Sequence, residues 1–301
     1  MTAQAGICAE PNLHALYLMF NRSGQAAELT ARLTMLPALW QAVAADFPDA
    51  HFSGLVAIGA DDWDALYPAA RPPQLRHFMA QDANGHQAPN TPFDLFIQLR
   101  ADRVDVLHHA GQRVMALLAG LVALAEEVRG FRHLDCRDLT GFVDGTENPQ
   151  GPCRAEVALV AAGPFAAGSY LHVQRWRHAM SDWERLAVKE QEDIVGRTKA
   201  DNIEYESAAK PLTSHIKRVN LKTPQGESME ILRQSMPWGT LTEQGLYFIS
   251  CCHTPQHFNA MLASMYKGEA SHFDHLLRFT QAVTGAAFFA PSETFLQAGG
   301  Q

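Results

Sequence analysis

The sequence predicts an α+β fold made of two halves that share a similar order of strands and helices. Two observations predict it: short runs of strand length recur along the chain, and stretches with helical spacing separate them. A turn-rich stretch between residues 138 and 154, with three glycines and two prolines, then divides the halves. The chain has 301 residues, of which 47% are hydrophobic and 19% charged, which is typical of a globular protein with two modest domains or one large one.

The first half, residues 1–154, alternates in the order β-α-β-β-α-β, which is the order of a ferredoxin-like unit. Helices are predicted over residues 25–47, where leucines and Trp40 share one broad face, and over residues 102–125. Strands are predicted over residues 14–20, 51–59, 93–100 and 128–134.

The second half, residues 155–301, repeats this order loosely. Ser181 and Glu184 predict a capping box at the start of a helix that runs to Val195. Two halves of similar order indicate two ferredoxin-like domains with antiparallel sheets flanked by helices. The remaining elements are strands over residues 169–177, 230–235 and 245–252, and helices over 255–266 and 272–279.

Charge and cysteine content exclude several function classes. The net charge of −8 offers no basic excess for nucleic acid. Five cysteines at spacings that fit no zinc pattern indicate reduced thiols. The first residues show no secretory signal, and no apolar run has the length of a membrane span. We therefore expect a cytoplasmic protein with neither nucleic-acid nor membrane partners.

The segment GFVDGTENP, residues 141–149, is the first of three that could carry chemistry. Its glycines and final proline are typical of a surface turn. Phe142 and Val143 are apolar, so part of the loop is expected to be buried, with Asp144 partly desolvated. Desolvation raises the pKa of a carboxyl group toward the range useful for proton transfer. On spacing alone, the structural interpretation is still favoured.

His215 lies in the second segment, TSHIKRVN, residues 213–220. A lone histidine is usually a surface or hydrogen-bonded residue, and this one has no HxxxH, CxxC or HExxH partner that would indicate zinc. One imidazole can hold a metal when a porphyrin supplies four further ligands. A haem site therefore stays open as an interpretation of His215.

The third segment is ILRQSMPWG, residues 231–239. Strand alternation places Ile231, Arg233 and Ser235 on one face. A guanidinium buried beside Ile231 needs an anionic or strongly accepting partner. A structural salt bridge and a functional role explain Arg233 equally well at this point.

Together the three segments resemble the dye-decolorising peroxidase family. GFVDGTENP matches the family's GxxDG signature, extended through TxNP. His215 follows Asp144 by 71 residues, and Arg233 follows His215 by 18, in the order and separation of the family. VGRTKADN, residues 195–202, also resembles a family segment. The resemblance covers nearly the whole chain and is strongest to the cytoplasmic B-type subgroup.

The resemblance implies haem b in the second domain, with His215 as the axial iron ligand. A carboxylate is expected on the other ring nitrogen of His215, with Asp274 as the candidate and Glu230 as the reserve. Arg197 is the candidate partner of a haem propionate. Two further cofactor-binding residues are implied by the signature loop: Gly145 and Thr146.

For catalysis, the resemblance implies that Asp144 and Arg233 face the iron and split hydrogen peroxide. Ser235 would point into the same pocket, at a position where other family members carry asparagine. The peroxide would be reduced to water through an oxyferryl intermediate, and dyes or other aromatic and phenolic donors would be oxidised. A homo-oligomer and a role as encapsulin cargo are further implications. Two alternatives stay open: a haem-handling, deferrochelatase-like protein, and a haem-free small-molecule-binding module.

Overall fold

The structure, a computed structural model, describes residues 1–268 and 272–300. These residues contain twelve strands: β1 (His14–Arg22), β2 (Ser53–Gly59), β3 (Gln81–Ala83), β4 (His86–Ala88), β5 (Leu95–Ala101), β6 (Val122–Phe131), β7 (Ser169–His178), β8 (Leu232–Arg233), β9 (Met236–Gly239), β10 (Gln244–Cys252), β11 (Thr280–Ala282) and β12 (Ala286–Ala290).

The same described residues form ten α-helices and three short 3-10 helices. The α-helices are α1 (Ala26–Leu33), α2 (Leu36–Asp46), α3 (Trp63–Leu66), α4 (Val104–Leu117), α5 (Cys153–Ala158), α6 (Met180–Trp183), α7 (Val188–Val195), α8 (His215–Val219), α9 (Gln256–Lys267) and α10 (Glu293–Gln297). The 3-10 helices are Ala5–Ile7, Pro48–Ala50 and His275–Arg278.

Eight of the described strands close into a barrel. Their order is β7-β12-β2-β5-β1-β6-β9-β10, and β10 pairs back with β7. All these pairings are antiparallel, and closure leaves the eight strands without an open edge. The predicted α+β class with antiparallel strands is confirmed. The strands of both halves share one continuous sheet.

Side-chain alternation along β1 shows how the barrel separates two cores. Leu16 and Leu18 point outward and pack with the leucines of α1, α2 and α4. Tyr17 and Met19 point into the barrel, where they meet side chains from the other barrel strands. A third apolar cluster lies outside the second half, between α9 and the outer faces of β7 and β10. This third cluster forms part of the candidate site.

Two predicted helices of the first half are shorter than expected. The helix predicted over residues 25–47 is two helices, because Pro37 lacks an amide hydrogen and its ring excludes the carbonyl of Leu33 four residues earlier. The helix predicted over residues 102–125 ends at Leu117. Gly120 then adopts a φ of +76°, and the following residues belong to β6.

Two predictions for the second half are wrong in detail. Ser181 lies inside α6 rather than capping it, and the Trp183 carbonyl accepts from the Gln191 side chain at 2.8 Å instead of continuing the helix. All of residues 272–279, where a helix was predicted, are described. They contain only the short 3-10 turn His275–Arg278. The N-cap of this turn is Asp274. Its amide donates to the Met265 carbonyl, and this hydrogen bond holds Asp274 outside the turn.

The described part of the chain contains no helix with the length and apolar character that a membrane crossing requires. The five cysteines are all free, and the adjacent Cys251 and Cys252 are buried on β10 as predicted.

Candidate active site

A cavity of about 410 Å³ lies between the outer face of the second-half strands, α8, α9 and the signature loop. This volume is within the range of small-molecule and cofactor sites. Asp144, His215 and Arg233 all line it, so the fold brings the three sequence segments together. One apolar part of the wall comes from α9 and β10: Phe258, Met261, Leu262, Met265, Leu246 and Phe248.

His215 is the first residue of α8, and its ring is held by a buried carboxylate. The distance from its Nδ1 to Oδ2 of Asp274 is 2.6 Å, and the Asp274 side chain is fully buried. The other carboxylate oxygen of Asp274 accepts from the Leu276 amide at 2.9 Å. The carboxylate holds the ring proton of a neutral imidazole on Nδ1, which leaves the Nε2 lone pair for a metal ion.

Glu230, the reserve candidate for this hydrogen bond, is exposed at the cavity wall. Its backbone carbonyl accepts from Nδ1 of His257 at 2.8 Å. Within the described residues, no hydrogen bond joins its side chain to His215. The structure therefore brings Asp274, and not Glu230, to the imidazole.

Asp144 and Arg233 form a pair in the cavity. Nη1 of Arg233 lies 3.5 Å from Oδ1 of Asp144, and each side chain is 25% exposed. Burial raises the pKa of Asp144 above its ordinary value, the charge of Asp138 raises it further, and the Arg233 guanidinium opposes both. A carboxylate with a raised pKa can accept a proton and return it near neutral pH.

Gly145 allows the loop to turn directly after this carboxylate. Its φ is +81°, in the left-handed region that glycine adopts at little cost. Its amide also hydrogen-bonds to Asp144, which favours the ionised carboxylate.

Asn148, which the sequence analysis did not single out, joins the signature loop to β8. Its Nδ2 donates to the Arg233 carbonyl and its Oδ1 accepts from the Arg233 amide, both at 2.8 Å. The side-chain amide thus pairs with Arg233 as a neighbouring strand would. The Asn-Pro pair that ends the motif was the sequence signal for this role. Pro149 has no amide hydrogen to donate, and the carboxamide of Asn148 can replace a peptide group because it both donates and accepts.

A second buried carboxylate of the cavity was also missed. Oδ1 of Asp138 lies 3.1 Å from Nε2 of His178, and Oδ2 accepts from the Thr140 hydroxyl at 2.6 Å. Burial alone would raise the pKa of Asp138, but His178 and Thr140 outweigh it and lower that pKa to about 2. Asp138 is therefore a fixed negative charge beside the cavity that also contains Asp144.

Arg197 lines the cavity and is 5% exposed. Its Nη1 donates to Oδ1 of Asn202 at 3.0 Å, and Nδ2 of Asn202 donates to the Thr146 hydroxyl at 2.9 Å. Its Nη2 lies 3.5 Å from a carboxylate oxygen of Glu147. Its buried Nε has no hydrogen-bond partner among the described residues, so it can still bind an anionic oxygen.

The structure does not bring Ser235 into the cavity with the other predicted residues. Its hydroxyl accepts from the Ile249 amide at 3.3 Å, and Ser235 is absent from the described lining of the cavity. The chain leaves regular strand geometry between β8 and β9, so the simple alternation that placed Ser235 beside Arg233 does not extend to it.

Two family models match the chain. The model described as Dyp-type peroxidase, N-terminal, matches residues 4–132, and the model described as Dyp-type peroxidase, C-terminal, matches residues 135–295. A dye-decolorizing peroxidase of Mycobacterium tuberculosis is 40% identical over 269 residues, which are 88% of this chain and 80% of the relative.

Solved structures match over almost the full length. A Shewanella oneidensis protein assigned to the Dyp-type peroxidases is 53% identical, with a TM-score of 0.97 and 99% of each chain covered. An encapsulated Dyp-type peroxidase of Mycobacterium smegmatis is 35% identical, with a TM-score of 0.95 and 98% and 97% covered. A Rhodococcus jostii DypB variant in complex with heme is 34% identical, with a TM-score of 0.92 and 96% of each chain covered.

Proposed function

The chain belongs to the Dyp-type peroxidase family, and from that premise we propose that His215 holds the iron of haem b while Asp144 and Arg233 act on hydrogen peroxide. The enzyme is a peroxidase, as its family is. The observation that carries the residue assignment is one cavity lined by the Asp144–Arg233 pair and by His215, whose ring the buried Asp274 holds from outside the cavity.

The residues of the cavity fit a haem. His215 offers one nitrogen, and Asp274 increases the basicity of that nitrogen by accepting from the other. The apolar side chains of α9 suit the faces of a porphyrin. The buried Nε of Arg197, which has no hydrogen-bond partner among the described residues, suits a propionate oxygen, and Thr146 holds Arg197 in place through Asn202.

Haem, when bound, supplies an iron centre that takes two electrons from donors and passes them to peroxide. The overall change consumes one hydrogen peroxide, two electrons and two protons, and it yields two waters. Asp144 accepts the proton of one peroxide oxygen and returns it to the other, which leaves as water. Arg233 donates hydrogen bonds to the oxygen on which negative charge grows. Gly145 gives the loop the turn that this requires.

We propose that the two halves, residues 1–154 and 155–301, are two ferredoxin-like domains. The strand order β2-β5-β1-β6 in the first half and β12-β7-β10-β9 in the second supports this, since both follow the ferredoxin-like order. The haem would sit in the second domain, which contributes His215, Asp274 and Arg233. The first domain would add only its last loop, with Asp144.

The donors that we propose are dyes and other small aromatic or phenolic molecules, as the names of the relatives suggest. We also propose membership of the B-type subgroup and a cytoplasmic location, the second of which agrees with the five free cysteines. We further propose a homo-oligomer that can be encapsulin cargo, because an encapsulated relative, 35% identical, matches over 98% of this chain.

The decisive experiment reconstitutes the wild type and His215→Ala with haem and records absorption spectra before and after peroxide. We expect that the wild type shows a five- or six-coordinate ferric haem that changes with peroxide, and that His215→Ala loses this spectrum. Equal haem affinity and turnover in both proteins would contradict the assignment. Iron release with porphyrin left over, and no steady dye oxidation, would instead indicate a haem-handling protein.

A further inference from the structure

We propose that Gln234 and Arg100, which lie inside the barrel, are positioning residues that hold Arg233 at the peroxide site. The proposal rests on the proposed role of Arg233 in peroxide cleavage. Neither residue touches the cavity, and both act through the backbone of β8.

The need for such support follows from the length of β8. It contains only Leu232 and Arg233, and its described pairing with β10 covers two residue pairs. A ladder this short leaves the position of the strand weakly determined, while Arg233 must present its guanidinium with sub-ångström accuracy. Asn148 binds Arg233 from the loop side, and the next residue, Gln234, binds from the barrel side.

Gln234 is 2% exposed and points away from the cavity. Its amide nitrogen donates to the Ile249 carbonyl of β10 at 2.8 Å. Its Nε2 donates to the Ile7 carbonyl at 2.7 Å, and its Oε1 accepts from Nη1 of Arg100. One side chain therefore ties the end of β8 to β5 and to the N-terminal segment.

Arg100 is 3% exposed on β5, and it has no ion pair with a carboxylate in the described part of the chain. Its Nε is buried and has no hydrogen-bond partner in the part of the chain that the structure describes, and burial lowers the pKa of its guanidinium. A buried cation whose main acceptor is a neutral carboxamide is costly to the fold. A role in the site explains why the barrel contains it.

The N-terminal segment is itself fixed, so it can serve as an anchor. A Cβ added to Gly6 would lie 2.7 Å from the Gly54 carbonyl, which shows how closely the segment packs on β2. Nε of Arg154 donates to the Cys8 carbonyl at 3.3 Å. The Ile7 carbonyl that Gln234 binds is therefore held in place from both sides.

Gln234→Leu tests the proposal, and Gln98→Leu is the matched control. Gln98 is fully buried on the same strand face as Arg100, but both of its side-chain polar atoms lack partners among the described residues. We expect that Gln234→Leu slows the peroxide step by about 10- to 100-fold with unchanged haem affinity and donor oxidation. Gln98→Leu should leave the peroxide step, the haem affinity and the donor oxidation unchanged.

Two readouts separate positioning from mere structural support. A crystal structure of apo Gln234→Leu should show Arg233 more than 4 Å from Asp144, compared with the present 3.5 Å. When Arg233 moves away, the pKa of Asp144 should rise, because the guanidinium lowers that pKa in the wild type. The acid limb of the pH profile of the peroxide step should therefore move to higher pH. The other titratable groups that act on Asp144 are Asp138 and His215, and neither contacts Gln234.

A double variant, Arg100→Met with Gln234→Leu, keeps the test valid if Gln234→Leu folds poorly. Replacing the cation and its acceptor by apolar side chains should restore the stability but not the peroxide rate. A rate that recovers with the stability would overturn the proposal, as would a normal rate in Gln234→Leu or equal slowing in Gln98→Leu. Arg233→Ala is measured in parallel. If it leaves the peroxide step unchanged, the proposed function itself fails, and this inference fails with it.

Discussion

Replacing Asp274 by asparagine should weaken haem binding through the tautomer of His215. The carboxylate now accepts twice, from Nδ1 of His215 at 2.6 Å and from the Leu276 amide at 2.9 Å. Asparagine has the same shape but only one acceptor oxygen. If that oxygen keeps the Leu276 amide, the NH2 group faces Nδ1, and the ring proton must move to Nε2, the nitrogen that we propose as the iron ligand. In the opposite orientation, two donors face each other at Leu276.

Either orientation leaves a buried polar group unsatisfied or the proposed iron-binding nitrogen protonated. Asp274 is fully buried, so solvent does not compensate for the loss. An unsatisfied buried group costs about 1–3 kcal/mol. At about 1.4 kcal/mol for each factor of ten, we expect haem affinity to fall roughly 10- to 100-fold.

The assay titrates apoprotein with haem and follows the absorption of the bound form. Urea unfolding of the apoproteins shows how much of the loss is a change in folding rather than in binding. Glu230→Gln is the control, because it removes the exposed carboxylate that does not bond to His215, and it should change affinity less than about twofold. An Asp274→Asn protein that binds haem with wild-type affinity and spectrum would refute the reasoning.

Five further outcomes are expected. Asp144→Asn should slow the peroxide step by about 10²- to 10⁴-fold with haem affinity unchanged, because the proton acceptor is lost. In the wild type, this step should fall as the pH drops through the pKa of Asp144, above the ordinary carboxyl range because burial raises it. Asp138→Asn should move this acid limb to lower pH, since it removes a negative charge that raises the same pKa. Asn148→Ala should slow the step by about tenfold through the loss of both bonds to Arg233. Arg197→Gln should lower haem affinity, with the peroxide step of the loaded enzyme changed little.

Stopped-flow absorption measures the peroxide step in each case, and haem titration measures affinity. A pH profile with its acid limb at the ordinary carboxyl pKa would contradict the role given to burial, and a limb unmoved by Asp138→Asn would contradict the role of its charge. Ser235→Ala is the natural comparison for Asn148→Ala. Because the Ser235 hydroxyl lies outside the cavity, it should change the rate less than Asn148→Ala does.

The signature loop and the order of Asp144, His215 and Arg233 along the chain carried the resemblance that predicted the family, and the fold brings these three residues to one cavity. Local patterns determine these positions: a loop signature, a lone histidine and a strand with an arginine. Asp274 was expected only through the resemblance, with Glu230 in reserve, since 59 residues separate it from His215. Asn148 lies within the quoted motif, but its two bonds to Arg233 span 85 residues and depend on the fold.

The residue pattern by itself determined the α+β class, most strand positions and the alternation that separates the faces of each strand. This is possible because periodicity and turn chemistry act over a few residues. Only the tertiary structure decided that both halves close into one barrel, and that Gln234 meets Arg100 across 134 residues. It also decided that Ser235 lies outside the cavity, while Asp138 and Asp144 share it. Burial, charge neighbours and hydrogen-bond partners are properties of the packed chain, because they arise from segments that the sequence keeps far apart.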